Sequence, residues 1–203
     1  MNFVSDDYYY QKAKYKGYRS RASYKLLEIE QKFHIFKQNQ LVLDLGAAPG
    51  GWSQVASRKV GKKGRVLAVD KAYIPPFKEE NIEIINKDIF DEDLKDFIKT
   101  DYGEIDVLLS DCSPNISGDY SRDHFTQIYL ANRALELSKS LLRDGGSFVC
   151  KVFQGEELQD FRDKIKESFE AIKLFKPKSS RKKSAEIYII GLNLKTKLID
   201  NKE

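Results

Sequence analysis

Long apolar runs, histidines and paired cysteines are all scarce in this sequence, and each scarcity removes a class of function. No segment approaches the roughly 20 apolar residues of a membrane-spanning helix, and no cleavable export signal is visible at the start. The two cysteines, Cys112 and Cys150, lie far apart, with no Cys-x-x-Cys pair and no neighbouring histidine to complete a zinc site. Two such thiols in 203 residues fit a reducing compartment, so a cytoplasmic protein with buried thiols and no metal is expected. The two histidines, His34 and His124, are read as incidental. No internal repeat or low-complexity linker divides the chain, so residues 1–203 are expected to form one domain with a sizeable core.

Charge is modest in total and uneven in placement. The formal net charge is +4, yet Lys12, Lys14, Lys16, Arg19, Arg21 and Lys25 crowd the N-terminal segment. Lys176, Lys178, Arg181, Lys182 and Lys183 form a second basic group, with acidic residues concentrated between the two. Separated basic clusters on a balanced domain point to a polyanionic partner. Tyr8-Tyr9-Tyr10, Tyr15 and Tyr18 interleave with the first cluster, a pattern suited to stacking on unpaired bases while cations track phosphates. Residues 1–20 have weak periodicity and are expected to form a basic, aromatic arm or loosely held loop.

From Ala22 to about Phe36, Leu26, Leu27, Ile29 and Phe33 recur at helical spacing, with Ser23 placed to cap. Apolar runs at 41–45, 65–69, 82–86, 105–110, 146–153 and 186–192 read as strands, with a further short one near 170–175. Helical patterns fill about 52–60, 91–99, 124–142 and 157–168, and Gly145-Gly146 marks a turn into the fifth strand. This β-α alternation predicts a doubly wound α/β sheet with helices on both faces.

The run Leu41 to Leu45 breaks into Gly46-Ala47-Ala48-Pro49-Gly50-Gly51-Trp52, a strand, a Gly-rich turn and a helix start. Such a corner puts backbone N–H groups and a helix N-terminus beside a ligand. A dinucleotide fingerprint needs a second Gly where this chain has Ala48, followed by the stiff Pro49, so an NAD-type pyrophosphate is disfavoured. A nucleoside without phosphates, such as S-adenosylmethionine, fits better. Asp70 closes the second strand a little over 20 residues beyond Gly46, where an acid accepts from ribose hydroxyls. Asp88, after the third strand, either accepts from an adenine amino group or caps the helix near Asp91. Asp44 lies where the cationic amino-acid end of the ligand would sit, or else bonds the turn itself, and Trp52 either covers the pocket or packs in the core.

Four charged residues occupy unusual positions. Asp111 follows the fourth strand and opens Asp-Cys-Ser-Pro-Asn, a poor core sequence and a good active-site lip. Lys151 lies inside the apolar run Ser147 to Phe153, costly unless paired. Glu186 opens the run Ile187 to Ile190, and Lys25 follows Arg19 to Tyr24.

Taken in order, Arg21 to Leu26, Asp44 to Gln54, Asp111 to Asn115, Cys150 to Phe153 and Ser184 to Tyr188 resemble the RrmJ/FtsJ family, ribosomal RNA methyltransferases that modify the 2′-hydroxyl of ribose. The resemblance spans nearly the whole chain. It implies a Rossmann-like class I methyltransferase fold, a mostly parallel seven-stranded sheet with an antiparallel final strand. Lys25, Asp111, Lys151 and Glu186 fall on the family's Lys-Asp-Lys-Glu tetrad, and Gly50, Trp52, Asp70, Asp88 and Asp111 on its S-adenosylmethionine positions. Asp44 and Gly46 join the cofactor set. The implied substrate is a uridine ribose in large-subunit ribosomal RNA; from the basic clusters, Arg19, Arg21, Lys25, Lys178, Arg181 and Lys182 are expected to contact it, and nothing demands more than a monomer. A transfer-RNA anticodon-loop or cap ribose methyltransferase is the nearest rival, and a non-catalytic ribosome-assembly factor the next.

Chemistry leads to the same roles. A ribose hydroxyl is a very weak acid, so a base or strong charge stabilisation must help at neutral pH. Lys151 serves as that base only if its pKa falls from roughly 10.4, which burial, the sulfonium and Lys25 favour and Asp111 opposes.

Overall fold

The computed structural model describes residues 4–181 and 183–196. In chain order the elements are α1 (Val4–Tyr15), α2 (Ser23–Phe33), β1 (Leu41–Leu45), α3 (Gly51–Val60), β2 (Arg65–Val69), β3 (Ile82–Ile85), α4 (Leu94–Asp101), β4 (Ile105–Ser110), α5 (Tyr120–Leu141), β5 (Leu142–Phe153), α6 (Leu158–Ser168), β6 (Phe169–Phe175) and β7 (Glu186–Leu194). The seven strands form one sheet in the order β3-β2-β1-β4-β5-β7-β6. All neighbours are parallel except β7, which runs antiparallel to both β5 and β6.

The strands read as continuous apolar runs because both faces of the sheet are covered. Alternate residues point to opposite faces. Leu43, Leu45, Leu67, Leu108, Cys150 and Ile189 pack with Leu94 and Ile98 of α4, Leu135 of α5 and Ile165 of α6. Val42, Val66, Val107, Val149, Tyr188 and Ile190 pack with Leu26 and Ile29 of α2 and Trp52 and Val55 of α3. The same alternation decides the chemistry, since Asp44, Lys151 and Glu186 share the parity of the α2/α3 face. β1 lies between β2 and β4, whose connections leave in opposite directions, so its carboxyl end is the switch point where open α/β sheets hold ligands.

Several boundaries differ from expectation. Within 1–20, residues 4–15 form α1 rather than a loop. α2 ends at Phe33, where His34 turns left-handed (φ 51°), yet Ile35 and Phe36 remain buried beyond it. Ser23 does not cap α2; its hydroxyl donates to Gly51 O at 3.0 Å, tying α2 to α3. α5 begins at Tyr120, capped by Asp119, whose carboxylate accepts from Arg122 N. Gly145-Gly146 lies inside β5, where the register with β4 shifts, instead of preceding it. Among the described residues no helix is long and apolar enough to cross a membrane.

Candidate active site

Glycine is required twice at the switch point. Gly46 has φ 71°, and a Cβ there would lie 2.7 Å from Cys112 Sγ and 3.0 Å from Cys112 Cα. The turn after β1 and the lip after β4 therefore meet at a distance only glycine permits. Gly50, at φ 109°, precedes α3, and a Cβ on it would strike the Phe77 ring at 2.4 Å. Between these lips opens a cavity of about 280 Å³, lined by Gly46, Ala48, Asp70, Asp88, Phe90 and Asp111 among others. A larger hollow beside Arg58, Lys62 and Glu79 gathers none of the candidate residues.

Asp70 reaches into this cavity with its carboxylate already oriented. Its Oδ2 accepts from Ala48 N at 2.9 Å and its Oδ1 from Ala72 N at 2.8 Å. Each oxygen keeps a second lone pair for a ligand hydroxyl. Asp88 accepts from Phe90 N at 3.2 Å and pairs with Lys71 Nζ at 3.0 Å. Burial alone would raise its pKa, but the Lys71 ammonium and the Phe90 amide hold it below the usual value. Asp88 therefore lines the cavity and closes a local turn at Phe90, and it caps no helix: α4 starts at Leu94, with Asp93 at its N-cap.

Asp44 is fully buried and outside the cavity lining. Its Oδ2 accepts from Ser53 Oγ at 2.6 Å, while Oδ1 has no hydrogen-bond partner among the described residues. Burial, reinforced by the nearby Asp111 and Asp70 charges, pushes its carboxyl up to about 7. The Trp52 side chain is not a cover for the cavity. Its indole N–H donates to Ala22 O at 2.9 Å and its ring packs on Tyr188 at 5.5 Å, 3% exposed. Gly50 likewise faces Phe77 and Arg19 rather than the cavity. At a helix start, what these two residues offer a ligand is backbone.

The four unusual charges converge. Lys151 Nζ donates to Asp111 O at 2.7 Å and lies 3.3 Å from Asp111 Oδ1. Lys25 Nζ lies 2.7 Å from Glu186 Oε1, both side chains nearly buried at 13% and 12% exposure. Strand pairing explains the meeting: Lys151 is opposite Tyr188 and Phe153 opposite Glu186, while Lys25 reaches over from α2. A lysine within β5 is tolerated because two Asp111 oxygens face it.

Two participants escaped the reading of the sequence. Tyr188, fully buried, donates its hydroxyl to Asp111 Oδ1 at 2.8 Å, and Lys25 Nζ lies 6.0 Å from its ring centroid. Burial and the adjacent Asp111 charge raise its pKa well above the ordinary phenol value, so it remains a donor. Its signal was present: it stands two residues beyond Glu186 on the same strand face. Gln127 of α5 donates to Lys151 O at 2.9 Å and Cys112 O at 3.2 Å, bracing β5 against the β4 lip. Nothing around it in the sequence announces that role. Burial pushes the Cys112 thiol up to about 12, so it is neutral packing. Among the described residues no group of three or more His, Cys, Asp or Glu is arranged to hold a metal.

The expected RNA-contacting cations fare unevenly. Arg19 does not face solvent phosphate. Its guanidinium donates to Pro49 O at 3.1 Å, Pro75 O at 2.6 Å and Pro76 O at 2.5 Å, and lies 3.7 Å over the Phe77 ring. Arg21 donates to Ser179 O at 2.9 Å, joining the two basic segments. The Lys178 and Ser179 amides donate to Glu28 at 2.6 and 2.9 Å, leaving the Lys178 side chain exposed. Lys25 is committed to Glu186. Arg181 lies on the same surface segment, and Lys182 falls outside the described residues.

Comparison with known proteins adds an independent line. Residues 18–194 match the profile of the FtsJ-like methyltransferases. A protein named ribosomal RNA large subunit methyltransferase E from Archaeoglobus fulgidus is 48% identical over 186 residues, covering 91% of this chain and 94% of its own. Its namesake from Methanocaldococcus jannaschii is 43% identical over 189 residues, covering 91% and 77%. Among solved structures, a Plasmodium falciparum protein described as a ribosomal RNA methyltransferase superposes with a TM-score of 0.76 at 27% identity, over 89% of this chain and 100% of its own. Fibrillarin from Aeropyrum pernix with bound S-adenosyl-L-methionine shares the fold, with a TM-score of 0.60 at 17% identity, over 86% of this chain and 75% of its own.

Proposed function

This chain belongs to the FtsJ-like methyltransferase family, and on that premise we propose that it methylates the 2′-hydroxyl of a ribose in large-subunit ribosomal RNA, using S-adenosylmethionine. We take the ribose to be that of a uridine. The observation that carries the proposal is Lys151 Nζ, held 2.7 Å from Asp111 O and 3.3 Å from Asp111 Oδ1 at the sheet edge, next to the Lys25–Glu186 pair and the cavity holding Asp70.

The chain's own groups fit a nucleoside sulfonium. Asp70 has lone pairs left that would take ribose hydroxyls, and Asp88, on the same cavity wall, would meet the adenine, whereas Asp44 is buried outside that lining. When bound, S-adenosylmethionine supplies an electrophilic methyl group: the new O–C bond forms as the C–S pair returns to sulfur, leaving a neutral thioether.

Lys151 takes the hydroxyl proton. A neutral amine has two N–H donors and one lone pair; Asp111 O takes one N–H, and Asp111 Oδ1 stays within ion-pair range at 3.3 Å. The lone pair is then left for the ribose hydroxyl, and the product is the ammonium that Asp111 stabilises. Tyr188 fixes the Asp111 carboxylate so that it keeps this orientation. Glu186 holds Lys25 in place beside the Tyr188 ring, next to the Lys151–Asp111 pair.

The test is methyl transfer from labelled cofactor to deproteinised large-subunit RNA and to transfer RNA, with methylated positions mapped by resistance of the 3′ linkage to alkali. Alkali-resistant label in the large-subunit RNA is expected. Label on a base, or confined to transfer RNA, contradicts the proposal.

A further inference from the structure

α1 is held by rings and cations more than by apolar burial. Among its described side chains only Ala13 is buried. Tyr9 meets Tyr8 at 5.3 Å and Tyr24 of α2 at 5.5 Å between ring centroids, and Lys12 Nζ lies 5.0 Å over the Tyr24 ring. Along α2, Lys32 Nζ lies 4.7 Å over the Phe175 ring of β6. Between these contacts runs a groove of about 740 Å³ lined by Tyr9, Lys12, Tyr24, Lys32, Phe175 and Lys178.

We propose that this groove holds an unpaired stretch of the RNA substrate next to the methylated ribose, its phosphates toward Lys12, Lys32 and Lys178 and a base against the half-buried Tyr9 ring. The inference rests on the RNA methyltransferase reading above. Charge selects a polyanion. Three lysines line the groove against one acid, Glu28, whose two oxygens already accept from the Lys178 and Ser179 amides. Tyr24 offers a buried hydroxyl that has no hydrogen-bond partner among the described residues. The groove also leads to the chemistry, because Tyr24 precedes Lys25, which pairs with Glu186. From Lys25 to Lys32 a helix rises about 10 Å, room for roughly three nucleotides at a 3.4 Å stacking repeat. Side chains read bases when those bases are unstacked, so the Tyr9 ring favours single strand over duplex.

The triple variant Lys12→Gln, Lys32→Gln, Lys178→Gln tests this in the full-length protein. Its control carries Lys62→Gln, Lys63→Gln and Lys95→Gln, the same charge change at exposed lysines away from the groove. Binding of a single-stranded RNA oligonucleotide and of a fully paired duplex is measured by fluorescence anisotropy over a range of salt. The groove variant is expected to lose about 10-fold or more in single-strand affinity, and about 2 from its salt slope, at roughly 0.7 per contact. Lys32→Gln alone is expected to lose about 0.7. Unchanged single-strand binding, a loss equalled by the control, or an equal loss on duplex overturns the proposal. Methyl transfer by the wild-type protein is scored separately, so its absence counts against the function and an unchanged slope with transfer intact counts against the groove alone.

Discussion

Tyr188 donates its hydroxyl to Asp111 Oδ1 at 2.8 Å, the same oxygen that lies 3.3 Å from Lys151 Nζ. One carboxylate oxygen therefore accepts from a phenol while standing in ion-pair range of an amine, so the phenol fixes the charge that faces the amine. Tyr188→Phe keeps the ring on Trp52 and removes only this bond. A charge-assisted hydrogen bond contributes about 1.5–3 kcal/mol, so kcat is expected to fall about 10-fold or more with cofactor affinity within about twofold. Steady-state kinetics beside calorimetric cofactor titration check this, and a loss confined to cofactor binding contradicts it.

Arg19 rivets the Gly-rich turn to the loop after β2 through Pro49, Pro75 and Pro76 carbonyls and the Phe77 ring. Both segments wall the Asp70 cavity proposed for the cofactor, so the expected effect of Arg19→Ala is on cofactor KM, raised about 10-fold, with kcat at saturation largely kept. Arg19→Lys is expected to rescue little, because an ammonium cannot fork across three carbonyls while stacking on a ring. The RNA salt slope should not move. A slope reduced by about 1 would return Arg19 to the phosphate-contacting set.

Asp44 makes stability depend on pH in a direction opposite to most carboxylates. Its folded pKa is raised to about 7 from an ordinary 3.8, chiefly by burial. Below pH 4 both states hold the proton and no penalty exists. As pH rises from about 4 to 7, the unfolded chain ionises first and stability falls, by about 1.4 kcal/mol per unit. Above pH 7 the penalty is constant. Asp44→Asn removes this dependence, so urea unfolding should show the variant gaining on wild type between pH 5 and pH 7 by roughly 2–3 kcal/mol. A difference that is flat with pH contradicts the raised pKa.

The sheet was legible because both its faces are buried, which turns each strand into an apolar run, and because Gly46 and Gly50 mark the corner after β1. Lys151 and Glu186 stood out for the same reason: a charge inside such a run needs a partner. What a linear reading could not weigh was how backbone oxygens compete for cations. Arg19 looked like a phosphate contact, but three carbonyls and a ring claim it first. Trp52 read equally as cover or core, and its N–H to Ala22 O across the α2–α3 contact makes it core. α1 escaped because its binding surface is made of tyrosines and lysines, which carry no apolar period. Tyr188 was missed because it sat in a run of core residues, where a phenol reads as packing.

Whether the Lys151 amine accepts the ribose proton is decided by single-turnover methyl transfer with Lys151→Arg and Lys151→Ala at neutral pH. Both variants are expected to lose about 10²–10⁴-fold in rate while binding cofactor within a few-fold of wild type, since arginine keeps the charge but cannot take up the proton. A Lys151→Arg enzyme that retains most of the wild-type rate would show that positive charge alone is needed there, and the base assignment would be wrong.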